Sequence, residues 1–336
     1  MQNENRASCE VWNGKGLKNK NEEFMNMVFV DKNEGFLLGT NYSDEIILNK
    51  KFNEQNAVIY KTEDGGKSWT EHVVGKGYFI DGGYAGKMIY AIANTPSSKY
   101  YGFIDSSSLY SSFDSGMTWK LVNSFPNLVK EIKFVDSRVG FAILKDQTNN
   151  RLNWKLMRTL DGGANWEICF QANQIEKLLF YEKTLWLLFW DENNRCSLLH
   201  FEIDSCSPQF ELLPEGFKPS VLIPDLIENK ICLAGGLNDS VFVLRRDAQN
   251  MFTRIPVKDG KDLFVKYTYV SGKKIALILG EIRASDVKYS MYISKDFGKT
   301  FDNAKLLLSS YVSPACFAYD NFWSYSGAGR IQHLQF

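Results

Sequence analysis

The sequence predicts an all-β fold, a seven-bladed β-propeller of four-stranded antiparallel blades, and three observations predict it. One tight-turn motif occurs four times, at spacings that fit a period in the forties. Short apolar runs separated by polar turns fill each period, four to a unit, as in a propeller blade. The chain also begins with a strand-like segment, "SCEVWNG", that supplies the strand its last unit lacks.

The motif reads "YKTEDGGKSW", "YSSFDSGMTW", "MRTLDGGANW" and "YISKDFGKTF". The copies align on Asp64, Asp114, Asp161 and Asp296. Two residues earlier stand Thr62, Ser112, Thr159 and Ser294, and two residues later Gly66, Gly116, Gly163 and Gly298. Five residues after the aspartate come Trp69, Trp119, Trp166 and Phe301. The hydroxyl and the carboxylate can accept backbone N–H groups and close a turn. Glycine supplies the positive φ that other residues resist, and the aromatic ring gives the next strand a large group to bury.

The aspartates lie 50 and then 47 residues apart, and the last gap of 135 is three periods of 45. Two degenerate copies are therefore expected, and "SLLHFEIDSCSPQFELL" around Asp204 and "SVFVLRRDAQNMFTRIPV" around Asp247 fit. Both keep strand, acidic turn and strand, and both lose the glycine and tryptophan. A second hairpin precedes each turn: "MVFVDKNEGFLLG" matches "IKFVDSRVGFAIL", with looser versions downstream. Blades are expected at 24–75, 76–124, 125–171, 172–214, 215–258, 259–308 and 309–336, the last completed by 8–14, all within a single domain, 1–336. Sharing a blade between the chain ends removes a free sheet edge.

The four sound turns resemble the Asp-box, or BNR, repeat. Propellers with this repeat include sialidases, xyloglucan-active glycoside hydrolases, the sortilin luminal domain and the photosystem II assembly-factor-like group. The strand pair F-V-D-x-x-x-G-F is most similar to the last. The resemblance implies that the repeated turn lies on the outer edge of the ring and is structural.

Composition narrows the function. Lys plus Arg and Asp plus Glu both number 39, so the chain lacks the positive footprint of a nucleic-acid binder. No segment approaches the ~20 apolar residues of a membrane span. No CxxC occurs, and the three histidines are far apart, so no metal is expected. No phosphate-binding glycine loop or nucleophile elbow is present, and no cofactor is expected. Cys169 and Cys232, in "WEICF" and "KICLAG", read as buried small hydrophobes in a reduced protein, and the expected location is cytoplasmic. Export, with a leader removed, is the alternative, and "RASC" near the start is its only sign.

Catalytic constellations are thin. "FTRIP" is similar to a sialidase arginine motif, but Arg254 falls on a predicted outermost strand, and Arg158, Arg245 and Arg138 are badly placed for an arginine triad. A xyloglucanase-type mechanism needs two axial carboxylates. Asp81, Glu131, Glu176 and Asp225 fall near the starts of inner strands or their approach loops. The clearer signal is length. Loops 40–57, 94–107, 145–153 and 281–289 all join a second strand to a third and so share one face. They carry Tyr42, Lys50, Lys51, Tyr100, Tyr101, Phe103, Arg151 and Arg283, which with Trp154 just after the third loop are the candidate partner-binding residues. The bland reading is that these aromatics cover the blade edges beneath their own loops.

The expected function is thus a non-catalytic scaffold that binds another protein, either an assembly client or a toxin or enzyme that it masks. The alternative is a glycoside hydrolase or carbohydrate-binding propeller.

Overall fold

A computed structural model describes residues 8–17, 22–49, 51–98, 103–146, 153–181, 183–191, 193, 195–225, 230–237, 239–246, 252–271, 274–283, 287–304, 315–318, 321–325 and 330–335. These residues form an all-β propeller of six four-stranded antiparallel blades plus a shorter sheet. The strands of the six blades lie within 22–76, 78–125, 128–172, 174–211, 218–259 and 263–304, paired in chain order. The first strand of each blade is innermost and packs on the first strands of its neighbours. These strands are Glu22–Phe29, Tyr78–Ala85, Leu128–Phe134, Gln174–Tyr181, Lys218–Asp225 and Leu263–Ser271.

The shorter sheet combines Ala315–Ala318, Asn321–Tyr325 and Arg330–Gln335 with the N-terminal strand Ser8–Asn13. Ser8 lies opposite Gln335 and Asn13 opposite Arg330, in antiparallel register. The chain then crosses to blade 1. Lys15 N–H donates to Lys67 O at 2.9 Å, and Trp69 N–H donates to Lys15 O at 2.8 Å. Gly16, at φ +93°, is required there, because a Cβ would lie 2.2 Å from Trp69 O.

The apolar runs of the sequence become second strands buried on both faces, such as Gly35–Asn41 and Met88–Pro96. Cores lie between neighbouring sheets. Phe36, Leu38, Phe79 and Ala91 join blades 1 and 2, and Phe141, Leu156, Leu187 and Phe201 join blades 3 and 4. Phe29 of blade 1 stacks on Trp323 of the shorter sheet at 4.0 Å. Phe322 packs against Ala276, Ile278 and Met291 of blade 6. Burying such side chains stabilises by about 1.5–3 kcal/mol each.

The four repeated turns share one hydrogen-bond scheme. The hydroxyls of Thr62, Ser112, Thr159 and Ser294 accept the N–H of Gly66, Gly116, Gly163 and Gly298 at 2.7–2.9 Å. Each hydroxyl donates to its aspartate, Asp64, Asp114, Asp161 or Asp296. The indoles of Trp69, Trp119 and Trp166 donate to the glycine carbonyl three residues back. A residue outside the motif as read from sequence completes the corner. Ser68, Thr118, Asn165 and Thr300 each donate both backbone and side-chain hydrogens to the aspartate. All four are Ser, Thr or Asn, a signal present in the alignment.

One cysteine reading is corrected. Cys169, expected to be a buried thiol, is disulfide-bonded to Cys206, with a Cα–Cα distance of 5.0 Å. It sits on the outermost strand of blade 3, half-buried, and faces the turn of blade 4. The spacing of 37 residues between them carries no pattern that a local reading detects.

Candidate functional site

Two surfaces can carry function: the face that holds the second-to-third-strand loops, and the axial channel that opens between the innermost strands. On the loop face, the insertion of blade 1 is built rather than loose. Tyr42 donates its hydroxyl to Glu23 at 3.1 Å, and burial together with Glu23 raises its pKa. A six-residue helix, Asp44–Asn49, follows, with Ile46 N–H bonded to Ser43 Oγ at 3.3 Å. Lys51 returns its N–H to Ile46 O and pairs with Glu54 at 3.4 Å. The buried Gln55 accepts Gly77 N–H through its carbonyl at 2.9 Å and so ties the loop to blade 2.

Phe103 is half-exposed on the same face, and Arg283 pairs with Glu281 at 3.4 Å beside Lys258. Trp154 is placed differently from Phe103. It is buried between blades 3 and 4, with the ammonium groups of Lys130 and Lys145 at 5.0 and 5.5 Å from its ring. Strand alternation turns Trp154 into the core, which the polar loop sequence around it hides. Lys50, Tyr100, Tyr101 and Arg151 lie outside the described residues.

Exposed apolar groups on this face are Leu48, Phe103, Leu212 and Ile282, while the opposite face shows Tyr84, Phe113, Met117 and Leu160. Among the described residues, apolar exposure does not distinguish the two faces. The loop face also holds a recess: a hollow of about 640 Å³ opens beside blade 4, walled by Trp190, Arg195, Leu212 and Phe217. No part of this recess was marked by the sequence reading, because its walls come from a loop and a blade connection of ordinary length.

The axial channel is shaped by a repeated irregularity. All six innermost strands slip register at the same place, between Phe24 and Asn26, Phe79 and Asp81, Val129 and Glu131, Ile175 and Lys177, Pro219 and Val221, and Val265 and Tyr267. A bulge of this kind re-aims the side chains beside it. Asn26, Asp81, Glu131, Lys177 and Tyr267, each just after the slip, line one cavity of about 250 Å³.

Asp81 is fully engaged. It accepts from Asn26 Nδ2 at 2.7 Å, Gly82 N–H at 2.9 Å, Ile132 N–H at 2.9 Å and Lys133 Nζ at 3.0 Å. Burial opposes the charge of Lys133, but Asp81, Tyr90 and Glu131 together outweigh it and hold its pKa above the ordinary lysine value. Glu176 is engaged too, by Lys130 Nζ at 3.0 Å, Trp190 Nε1 at 3.1 Å and Gln174 Nε2. Asp225 ends the innermost strand of blade 5, at the far end from these groups. Arg254 lies on the outermost strand of blade 5, away from the axis. Among the described residues no group of three His, Cys, Asp or Glu could hold a metal ion, and no helix is long and apolar enough to cross a membrane.

The fold and the polar axial channel define a β-propeller. No protein-family model matches the chain, and no curated protein matches it. Solved structures do. The β-propeller domain of the Trilobed protease from Pyrococcus furiosus is 12% identical, with 94% of this chain and 95% of that chain covered and a TM-score of 0.63. The acylaminoacyl peptidase of Pyrococcus horikoshii is 11% identical with a TM-score of 0.63; the match covers 93% of this chain and 51% of that one, so the chain spans about half the peptidase. The GH74 enzyme of Niastella koreensis is 11% identical, covers 90% and 62%, and has a TM-score of 0.50. At these identities the likeness is one of fold alone.

Proposed function

We propose that this propeller is a non-catalytic scaffold that binds another protein through its second-to-third-strand loop face, either as an assembly factor or as the cognate partner that masks a toxin or enzyme. One observation carries the reading. Of the four inner-strand carboxylates, Asp81 and Glu176 are consumed by internal hydrogen bonds and Asp225 ends its strand far from them, so Glu131 has no second free acid beside it among the described residues. A glycosidase needs two free acids across its substrate, which weighs against the carbohydrate-active alternative. The built insertion of blade 1 and the recess beside blade 4 enlarge the same face.

The finer architecture belongs to this reading. The pairing of Ser8–Asn13 with Arg330–Gln335 supports a seven-bladed ring closed by the two chain ends. The shared corner of the four turns supports the Asp-box resemblance. The Cys169–Cys206 disulfide supports the exported alternative over the cytoplasmic one, since such bonds persist in oxidising compartments.

The test uses immobilised protein and lysate or secreted fraction from its native cells, followed by mass spectrometry. A specific protein should be captured. Joint replacement of Leu48, Phe103 and Arg283 by alanine should abolish that capture without lowering the melting temperature, whereas Phe113→Ala with Met117→Ala on the opposite face should leave it intact. Capture that survives the first set, or hydrolysis of xyloglucan oligosaccharides by the unaltered protein, overturns the proposal.

A further inference from the structure

Glu131 and Lys177 occupy equivalent positions on the adjacent innermost strands of blades 3 and 4, each just past the register slip, and both line the axial cavity. The other charges that line the cavity are spoken for, and Lys266, outside the lining, stands over the Tyr267 ring at 5.5 Å. Lys133 pairs with Asp81, and Lys130 pairs with Glu176. What is left is one carboxylate and one ammonium. Glu131 is only 7% exposed, and its Oε2 has no hydrogen-bond partner. A buried acceptor left unmade is costly, by about 1–3 kcal/mol, so this oxygen calls for a donor. Lys177 is exposed and lines the cavity, and its side chain makes no hydrogen bond or ion pair with any described residue. The two do not pair with each other.

The remaining wall is amphipathic. Tyr267 and Tyr269 stand with their ring centroids 6.1 Å apart, and Met25 and Ile80 complete the apolar side. At about 250 Å³ the cavity suits a ligand of a few heavy atoms rather than an oligosaccharide or a long peptide. The charge pattern is that of a receptor for a molecule with a donor cation at one end, an anion at the other and a compact apolar body.

We propose that the axial cavity is a binding site for a small zwitterion, a free α-amino acid, whose ammonium donates to Glu131 Oε2, whose carboxylate meets Lys177 and whose side chain lies against Tyr267. No chemistry is performed on it. The inference is independent of the loop-face reading, because the two sites share none of the residues that the tests replace.

Isothermal titration of the full chain with the proteinogenic L-α-amino acids and glycine, each alone, tests it. At least one with an apolar or aromatic side chain should bind saturably at one site per chain. Glu131→Gln and Lys177→Met should each weaken that binding about tenfold or more. The matched primary amine, lacking the carboxylate, should bind more weakly than the amino acid to the unaltered protein and equally to Lys177→Met. Lys177 is exposed, so its variant should keep the unaltered melting temperature and remain interpretable if Glu131→Gln fails to fold. Absence of binding by every amino acid, equal affinity for the amine, or full affinity in Lys177→Met overturns the proposal.

Discussion

Blades 3 and 4 adjoin, yet they hold their outer corners by different means. In blade 3 the corner is local. Thr159, Asp161 and Asn165 satisfy the turn, and Trp166 is pinned to Gly163 O. In blade 4 the equivalent turn has lost glycine and tryptophan, and its outermost strand shrinks to Gln209–Glu211. Cys206 stands two residues after Asp204, where the sound turns have glycine, and is bonded to Cys169 of blade 3. Arg158 of blade 3 also donates to Ile203 O at 3.3 Å. A corner must fix the direction of the last strand, and the two blades show that a local hydrogen-bond set or a covalent tie to the neighbour can each do it.

The largest expected effect breaks the covalent half of this comparison. Replacing Cys169 and Cys206 by serine should lower stability by about 4 kcal/mol, as removal of a cross-link over a loop of this size does. Urea unfolding checks it, and hydrogen exchange should show the loss concentrated in blade 4 and the edge of blade 3.

Next comes Gly163→Ala. Its φ is +98°, and an added Cβ would lie 2.5 Å from Leu109 Cδ2. A cost of about 1–3 kcal/mol is expected, read as a lower urea midpoint, with blade 4 keeping its protection from exchange longer than blade 3.

Acid should separate the two devices. The Thr118 side chain holds the Asp114 pKa down at about 2, the Asn165 N–H does the same for Asp161, and in Asp296 the Thr300 bonds outweigh a burial effect of opposite sign. An unfolded aspartate titrates near 3.9. The stabilisation is therefore present in full above that value and is lost as pH falls through it towards about 2. Amide exchange at Gly116, Gly163 and Gly298 should speed up over that range, relative to the disulfide-held turn around Cys206.

The smallest effect sharpens the local half. Ser115 takes φ +55° where the corresponding residues of blades 1 and 3 are Gly65 and Gly162. Ser115→Gly should relieve that strain and raise stability by up to about 1 kcal/mol, visible as a small rise in melting temperature.

Legibility in the sequence followed the range of the interaction. The corners of blades 1, 2, 3 and 6 were readable because each is completed within nine residues, by side chains whose types repeat. The axial set was legible only in part. Asp81, Glu131 and Glu176 could be placed near inner strands by counting, but not sorted into engaged and unengaged acids, since the partners Asn26 and Lys133 lie 55 and 52 residues from Asp81. Lys177 and Tyr267 gave no signal, because a bulge sets their direction and no local pattern announces it. Trp154 could not be sorted between surface and core for a related reason: a ring beside a polar loop fits either until the strand's register is known.

By itself, then, the sequence determined the repeating unit, its four-strand build and the turn chemistry that stops one strand and starts the next. All of these are decided by residues close together in the chain, through φ preferences and short hydrogen bonds. Tertiary structure alone decided which carboxylates are spent, which cysteines meet and which residues face the axis. Those outcomes depend on neighbouring blades packed at a fixed angle around a common centre, and a single blade contains no record of what its neighbours will bring.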